Sequence, residues 1–183
     1  MQPDLAISVR SATSQDAPAL AELVNQAYAI EAFFVEGDRT DAAEIERMLA
    51  RGTFVVLEHA GGLAAAVYVA HAGAPASDRD TGTPRIVEGG YFGMLSVLPG
   101  LQGLGLGTRL VRIAEAMCES AGCIEVNLRI INLREELGRW YRSLGYHEVG
   151  TTPYEHRPVK QPCHFVEMRK SLRPVTGLGA VAA

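Results

Sequence analysis

The chain has 183 residues, 48% of them hydrophobic and 21% charged, with a formal net charge of -4. That length suits one domain with a sizeable core. The negative balance, with no concentrated basic face, argues against a nucleic-acid partner, and no apolar run approaches the roughly 18 residues of a membrane span.

The N-terminus, Met1-Gln2-Pro3-Asp4, lacks the basic stretch and apolar run of a secretory signal. The cysteines Cys118, Cys123 and Cys163 form no Cys-x-x-Cys pair. Buried thiols in a reducing, cytoplasmic compartment are therefore expected, rather than a disulfide framework or a zinc site.

Ile7 and Val9 alternate with Ser8 in a short opening strand. Thr13 then stands as an N-cap with Asp16 as the acid of a capping box. Leu20, Leu23, Val24, Ala27 and Tyr28 follow at helical spacing. Gly37-Asp38 breaks that pattern, and Thr40 or Asp41 starts a second helix with Ile45, Met48 and Leu49 on its apolar face. Phe54 to Glu58 and Leu63 to Ala70 read as a hairpin about Ala60-Gly61-Gly62. His71 to Arg85 reads as a loop. Val87 to Val97 is a strand whose two early glycines suggest a bulge. A helix with Leu106, Leu110, Ile113, Ala114 and Met117 inward ends at Gly122. Ile124 to Ile130 is a strand, Glu135 to Leu144 a helix, and His147 to Thr152 and His164 to Arg169 two last strands. The expected domain is 1-172, with 173-183 a flexible Gly/Ala-rich tail. The order predicts a mixed α/β sheet with helices on both faces.

The strongest local signal is the turn Gln102-Gly103-Leu104-Gly105-Leu106-Gly107 between a strand and a helix. Glycines let backbone N–H groups approach an anion closely, and the helix head points free donors and a positive dipole end at the same spot, so the segment reads as a phosphate site. It is not a dinucleotide fingerprint, because the third glycine of G-x-G-x-x-G is missing from either start. It is not a P-loop, because no Gly-Lys pair occurs in the chain. A plain glycine-rich connection without ligand is the alternative.

These residues resemble the Q-x-x-G-x-G turn of the GNAT N-acetyltransferase superfamily. Leu95-Ser96-Val97-Leu98-Pro99 is similar to the strand before that turn, and Tyr141-Arg142-Ser143-Leu144-Gly145-Tyr146 to the family's Tyr-x-x-Leu-Gly-Phe/Tyr signature. The segment from Asn132 to Leu137 resembles that of a subgroup of small bacterial-type members. Arg134 stands where many members carry an asparagine.

The resemblance implies the GNAT fold: about seven strands, with helices on both faces and a splay between the fourth and fifth strands. It implies acetyl-CoA as cosubstrate, an amine acceptor of small-molecule or protein type, and in many members a homodimer. No His/Cys/Asp cluster in the sequence has metal spacing, so no metal is expected. Backbone amides of Gln102, Gly103, Gly105, Gly107 and Thr108, with Leu104 and Leu106 between them, would hold the pyrophosphate. The pantetheine arm would run along Leu95, Ser96 and Val97, near Asn132, with an amide near Leu95 polarising the thioester carbonyl.

Tyr141 takes the place of the general acid, since a phenol with pKa about 10 stays protonated at neutral pH. The general base has several candidates: Glu88, Tyr91 nearer the family position, carboxylates after the first helix such as Glu31, Glu36 and Asp38, or ordered water. Glu31, Phe34, Glu36 and Tyr91 are expected to line the acceptor side, with His156 and His164 as further candidates. Trp140 reads as packing. An acyl-CoA-binding sensor without turnover is the alternative to an enzyme.

Overall fold

A computed structural model of the chain describes residues 6–71, 75–77, 84–86 and 89–172. Its strands are β1 (Ser8–Ser11), β2 (Thr53–His59), β3 (Gly62–Ala70), β4 (Pro75–Ser77), β5 (Pro84–Ile86), β6 (Gly90–Val97), β7 (Glu125–Ile131), β8 (His147–Pro153) and β9 (His164–Ser171). The helices are α1 (Ala17–Tyr28), α2 (Ala42–Leu49), α3 (Leu106–Ser120) and α4 (Glu135–Ser143). The expected tail, 173–183, and Glu88 lie outside the described residues.

Seven strands form one sheet in the order β1-β2-β3-β6-β7-β9-β8. All neighbours are antiparallel except β6 and β7, which run parallel. Consecutive residues of β2 explain why both faces carry helices. Phe54 and Val56 are buried with α1 and α2 residues such as Leu20, Val24 and Ile45. Val55 and Leu57 are buried on the opposite face with Leu110 and Ala114 of α3. A strand covered on both faces reads as a continuous apolar run, as Phe54 to Leu57 does.

Local signals set the boundaries. The Thr13 amide donates to the Asp16 carboxylate at 2.7 Å, and the capped turn runs into α1 with Pro18 in its first turn. Asp41 caps α2 by accepting from the Glu44 amide at 2.7 Å. The β2–β3 hairpin turns through Ala60 and Gly61, at φ 52 and 80°.

Two expectations are corrected. The stretch read as a loop contains β4 and β5, which pair antiparallel outside the main sheet, because three-residue strands lack a periodic signal. The bulge in β6 lies at Met94, not at the early glycines. The β3–β6 register shifts between Ala66 and Tyr68, and Met94 adopts φ 51°, unusual for a side chain of its size. Gly90 serves packing instead: a Cβ there would come within 2.4 Å of Cys118 Sγ on α3.

Candidate active site

The sheet opens between β6 and β7. The two strands have register partners only at Gly90↔Val126 and Tyr91↔Asn127. Asn127 pins this closed end, donating from Nδ2 to the Gly90 carbonyl (3.2 Å) while its Oδ1 accepts from Arg169 Nε (2.9 Å). Past it, β7 stays paired with β9 while β6 bends away through its bulge. A cavity of about 510 Å³ fills the opening, with Phe92 to Leu95 and Val97 on one wall and Leu128 to Ile131 on the other.

The glycine turn forms one mouth of this cavity. Gly103 and Gly105 adopt φ 77 and 80°, and a Cβ on either would meet nothing within 4 Å. Backbone conformation is what requires glycine there, and the space above the turn stays open. The first α3 bond runs from the Arg109 amide to the Gly105 carbonyl at 3.0 Å. The amides of Gly103 through Thr108 have no acceptor among the described residues, so a cluster of free donors lies at the positive end of a 15-residue helix. Gln102 differs from its expected role. Its amide closes the preceding turn on the Pro99 carbonyl (3.4 Å), and its side chain braces the turn against the Val97 carbonyl (3.3 Å).

Helix α4 brings two aromatic rings to the cavity. Tyr141 is 5% exposed and packs against Phe92 (6.1 Å between centroids), Tyr146 (5.6 Å) and Trp140 (4.7 Å). Burial raises its phenol well above the usual value, so it is protonated at neutral pH. Its hydroxyl bonds to no described residue. Trp140, read from the sequence as packing, also lines the cavity and lies about 3.6 Å from where a Gly107 Cβ would sit.

The opposite mouth is charged and assembled from distant stretches. Glu31, on the turn after α1, is 6% exposed. Its Oε1 pairs with Arg134 Nη1 at 3.2 Å, and Arg134 also bonds Glu136. Burial raises the Glu31 carboxyl, and the Arg39 and Arg134 charges oppose the rise. Arg39 lies 5.5 Å over the Tyr28 ring. Tyr154 and His156, between β8 and β9, complete the wall beside Phe165. That segment is tied to the one after α1 through the Val35–Val159 bridge, Glu36 N to Pro158 O (3.1 Å) and Lys160 N to Phe34 O (2.9 Å).

Of the residues expected from sequence, Leu95, Val97, Gln102, Gly103, Gly105 and Leu106 line the cavity, as do Gly107, Thr108, Tyr141, Glu31 and Tyr91. Others do not. Ser96 is 1% exposed and donates to the Met94 carbonyl. Leu104 points to solvent at 41% exposure. Asn132 holds the β7–β9 end, accepting from the His164 amide at 2.9 Å. Phe34 is fully buried beside Ile131 and Phe165, and Glu36 is exposed. His156 reaches the cavity but the exposed His164 does not. Tyr28, Arg39, Arg134 and Tyr154 were not singled out as site residues, because each carries a local signal no different from that of a packing or surface residue.

Fold and cleft together define a mixed α/β protein with a helix-head donor cluster opening onto a slot between two parted strands. The model of the Acetyltransferase (GNAT) domain matches residues 50–148, more than half of the chain. The protein belongs to the GNAT acetyltransferase family, and its chemistry is acyl transfer. Solved structures share the fold. The yncA protein of Salmonella typhimurium, solved with its cofactor acetyl-CoA, is 19% identical with a TM-score of 0.68, over 97% of this chain and 99% of that one. The ribosomal-protein-S18-alanine N-acetyltransferase of Escherichia coli is 16% identical with a TM-score of 0.67, over 94% and 98%. The ribosomal-protein-alanine N-acetyltransferase of Brucella melitensis is 18% identical with a TM-score of 0.69, over 90% and 99%. Among curated proteins no sequence matches significantly. Among the described residues no helix is long and apolar enough to cross a membrane, and no group of His, Cys, Asp and Glu has metal-holding geometry.

Proposed function

We propose that the protein moves an acetyl group from acetyl-CoA to a primary amine by direct attack, with Tyr141 as general acid and Glu31 as the group that receives the amine. The carrying observation is that the unengaged amides of Gly103 through Thr108 and the slot between β6 and β7 open into one cavity. A diphosphate suits the first and a narrow thiol-bearing arm suits the second. When bound, acetyl-CoA supplies an activated acyl group as a thioester.

The rest is done by the chain. The amides from Gly103 to Thr108 would anchor the pyrophosphate without a charged side chain, and the unpaired edge of β6 would hold the arm through main-chain groups. The Tyr141 hydroxyl, protonated and unengaged, would give its proton to the departing thiolate. An acceptor amine with a pKa of roughly 10.4 arrives protonated. The Glu31 carboxylate would draw that cation into the cavity and take a proton from it, its basicity raised by burial. Burial also raises the Cys118 thiol to about 12, which suits a packing role and not a nucleophile. The free thiols of Cys118, Cys123 and Cys163 fit a reducing cytoplasm.

Thiol release from acetyl-CoA in the presence of amines tests this reading. Release that depends on an amine and is lost in Tyr141→Phe supports it. Binding of acetyl-CoA without turnover across a broad amine panel would favour a sensor.

A further inference from the structure

The charged mouth of the cavity holds two donor groups with no hydrogen-bond acceptor among the described residues. Arg39 is the first. Its neighbour Arg134 is matched by carboxylates of Glu31 and Glu136, whereas Arg39 stacks over Tyr28 and makes no ion pair or hydrogen bond with any described residue. Tyr154 is the second. Its hydroxyl is buried without a hydrogen-bond partner among the described residues. Leaving a buried phenol hydroxyl unanswered is costly, and native structures rarely do so without a reason, while the half-buried Arg39 guanidinium keeps its donors clear of every described acceptor. Both side chains line the same cavity as Glu31 and Tyr141. Electrostatic coupling also links Arg39 with Tyr154 and Glu31.

We propose that the acceptor is a small amino acid-type molecule, whose carboxylate is received by Arg39 and the Tyr154 hydroxyl while its amine meets Glu31. A guanidinium fork plus one hydroxyl supplies donors for both oxygens of a carboxylate. The mouth then presents cationic and anionic groups to an acceptor that carries the opposite pair. A plain alkylamine would satisfy Glu31 and leave Arg39 and Tyr154 unanswered. The inference rests on the transferase reading of the cavity and narrows its acceptor.

The test uses the full chain, the twenty common amino acids, and for each active one its amide and its decarboxylated amine. In the thiol-release assay, kcat/KM for the amino acid should exceed that for both neutral partners by about tenfold or more. Arg39→Gln should erase most of that ratio, Tyr154→Phe part of it, and both should bind acetyl-CoA with unchanged affinity by calorimetry. Equal turnover of charged and neutral partners, or a ratio that survives Arg39→Gln, would overturn the inference and leave the transferase standing. So would acetyl-CoA binding with no amino acid bound or consumed. Failure of acetyl-CoA to bind would remove the transferase reading and this one with it. If Arg39→Gln fails to fold by its thermal midpoint, Tyr154→Phe, which keeps the ring, decides alone.

Discussion

The two mouths of the cavity are built on opposite principles. At the glycine turn, one continuous stretch of six residues, Gly103 to Thr108, presents main-chain amides, and its glycines leave the approach open. At the charged mouth, side chains from the ends of α1 and α4, the α1–α2 connection and the β8–β9 connection converge with no shared local pattern. A backbone site tolerates change in every side chain except the glycines that set its φ angles. A side-chain site can be rewritten one residue at a time, and acceptor choice belongs there.

If that contrast holds, substitutions at the two mouths should separate cofactor binding from turnover. The largest effect is expected at the junction. Tyr141→Phe should lower kcat by about 100-fold or more while acetyl-CoA affinity by calorimetry stays put. Equal loss in both would make the ring a packing element only.

Glu31→Gln should come next, with kcat/KM for amines down by about tenfold to 100-fold in steady-state assays. The sign of its pH dependence follows from burial. A carboxyl raised above its usual value of about 4.3 stays protonated to higher pH, so the acid limb of the rate profile should lie above that value. Arg134 opposes the rise, so Arg134→Gln should move the limb further toward neutral. A limb that stays in place would exclude Glu31 as the proton acceptor.

At the other mouth, Gly105→Val puts a β-branched residue at φ 80°, a strain of about 1–2 kcal/mol. Acetyl-CoA affinity should fall by about tenfold. Affinity held constant while stability drops would break the assignment of that turn to the cofactor. The smallest effect is expected at Asp41→Ala, which removes the α2 cap beside the Arg39 segment. It should cost about 1 kcal/mol in chemical denaturation and leave acetyl-CoA binding untouched.

The same division governs what could be read in advance. The seven strands, the four helices and the glycine turn were legible because each rests on neighbours in sequence. Helical spacing, a cap such as Asp41, or a glycine at a helix start such as Gly105 acts over a few residues. The splay between β6 and β7 entered only through the family resemblance. Asn132 was drawn toward the cofactor by that same resemblance, but folding assigns it to the β7–β9 end.

The sequence by itself determined the apolar run of β2, the helix boundaries and the donor turn, since these follow from the local side-chain pattern and from the φ freedom of glycine. Tertiary structure alone decided that Glu31 would be buried against Arg134, 103 positions away, and that Arg39 and Tyr154 would face one cavity without hydrogen-bond partners among the described residues. The physical reason is range. Backbone conformation is set by neighbours in the chain, whereas burial and charge pairing depend on which distant segments the core brings together.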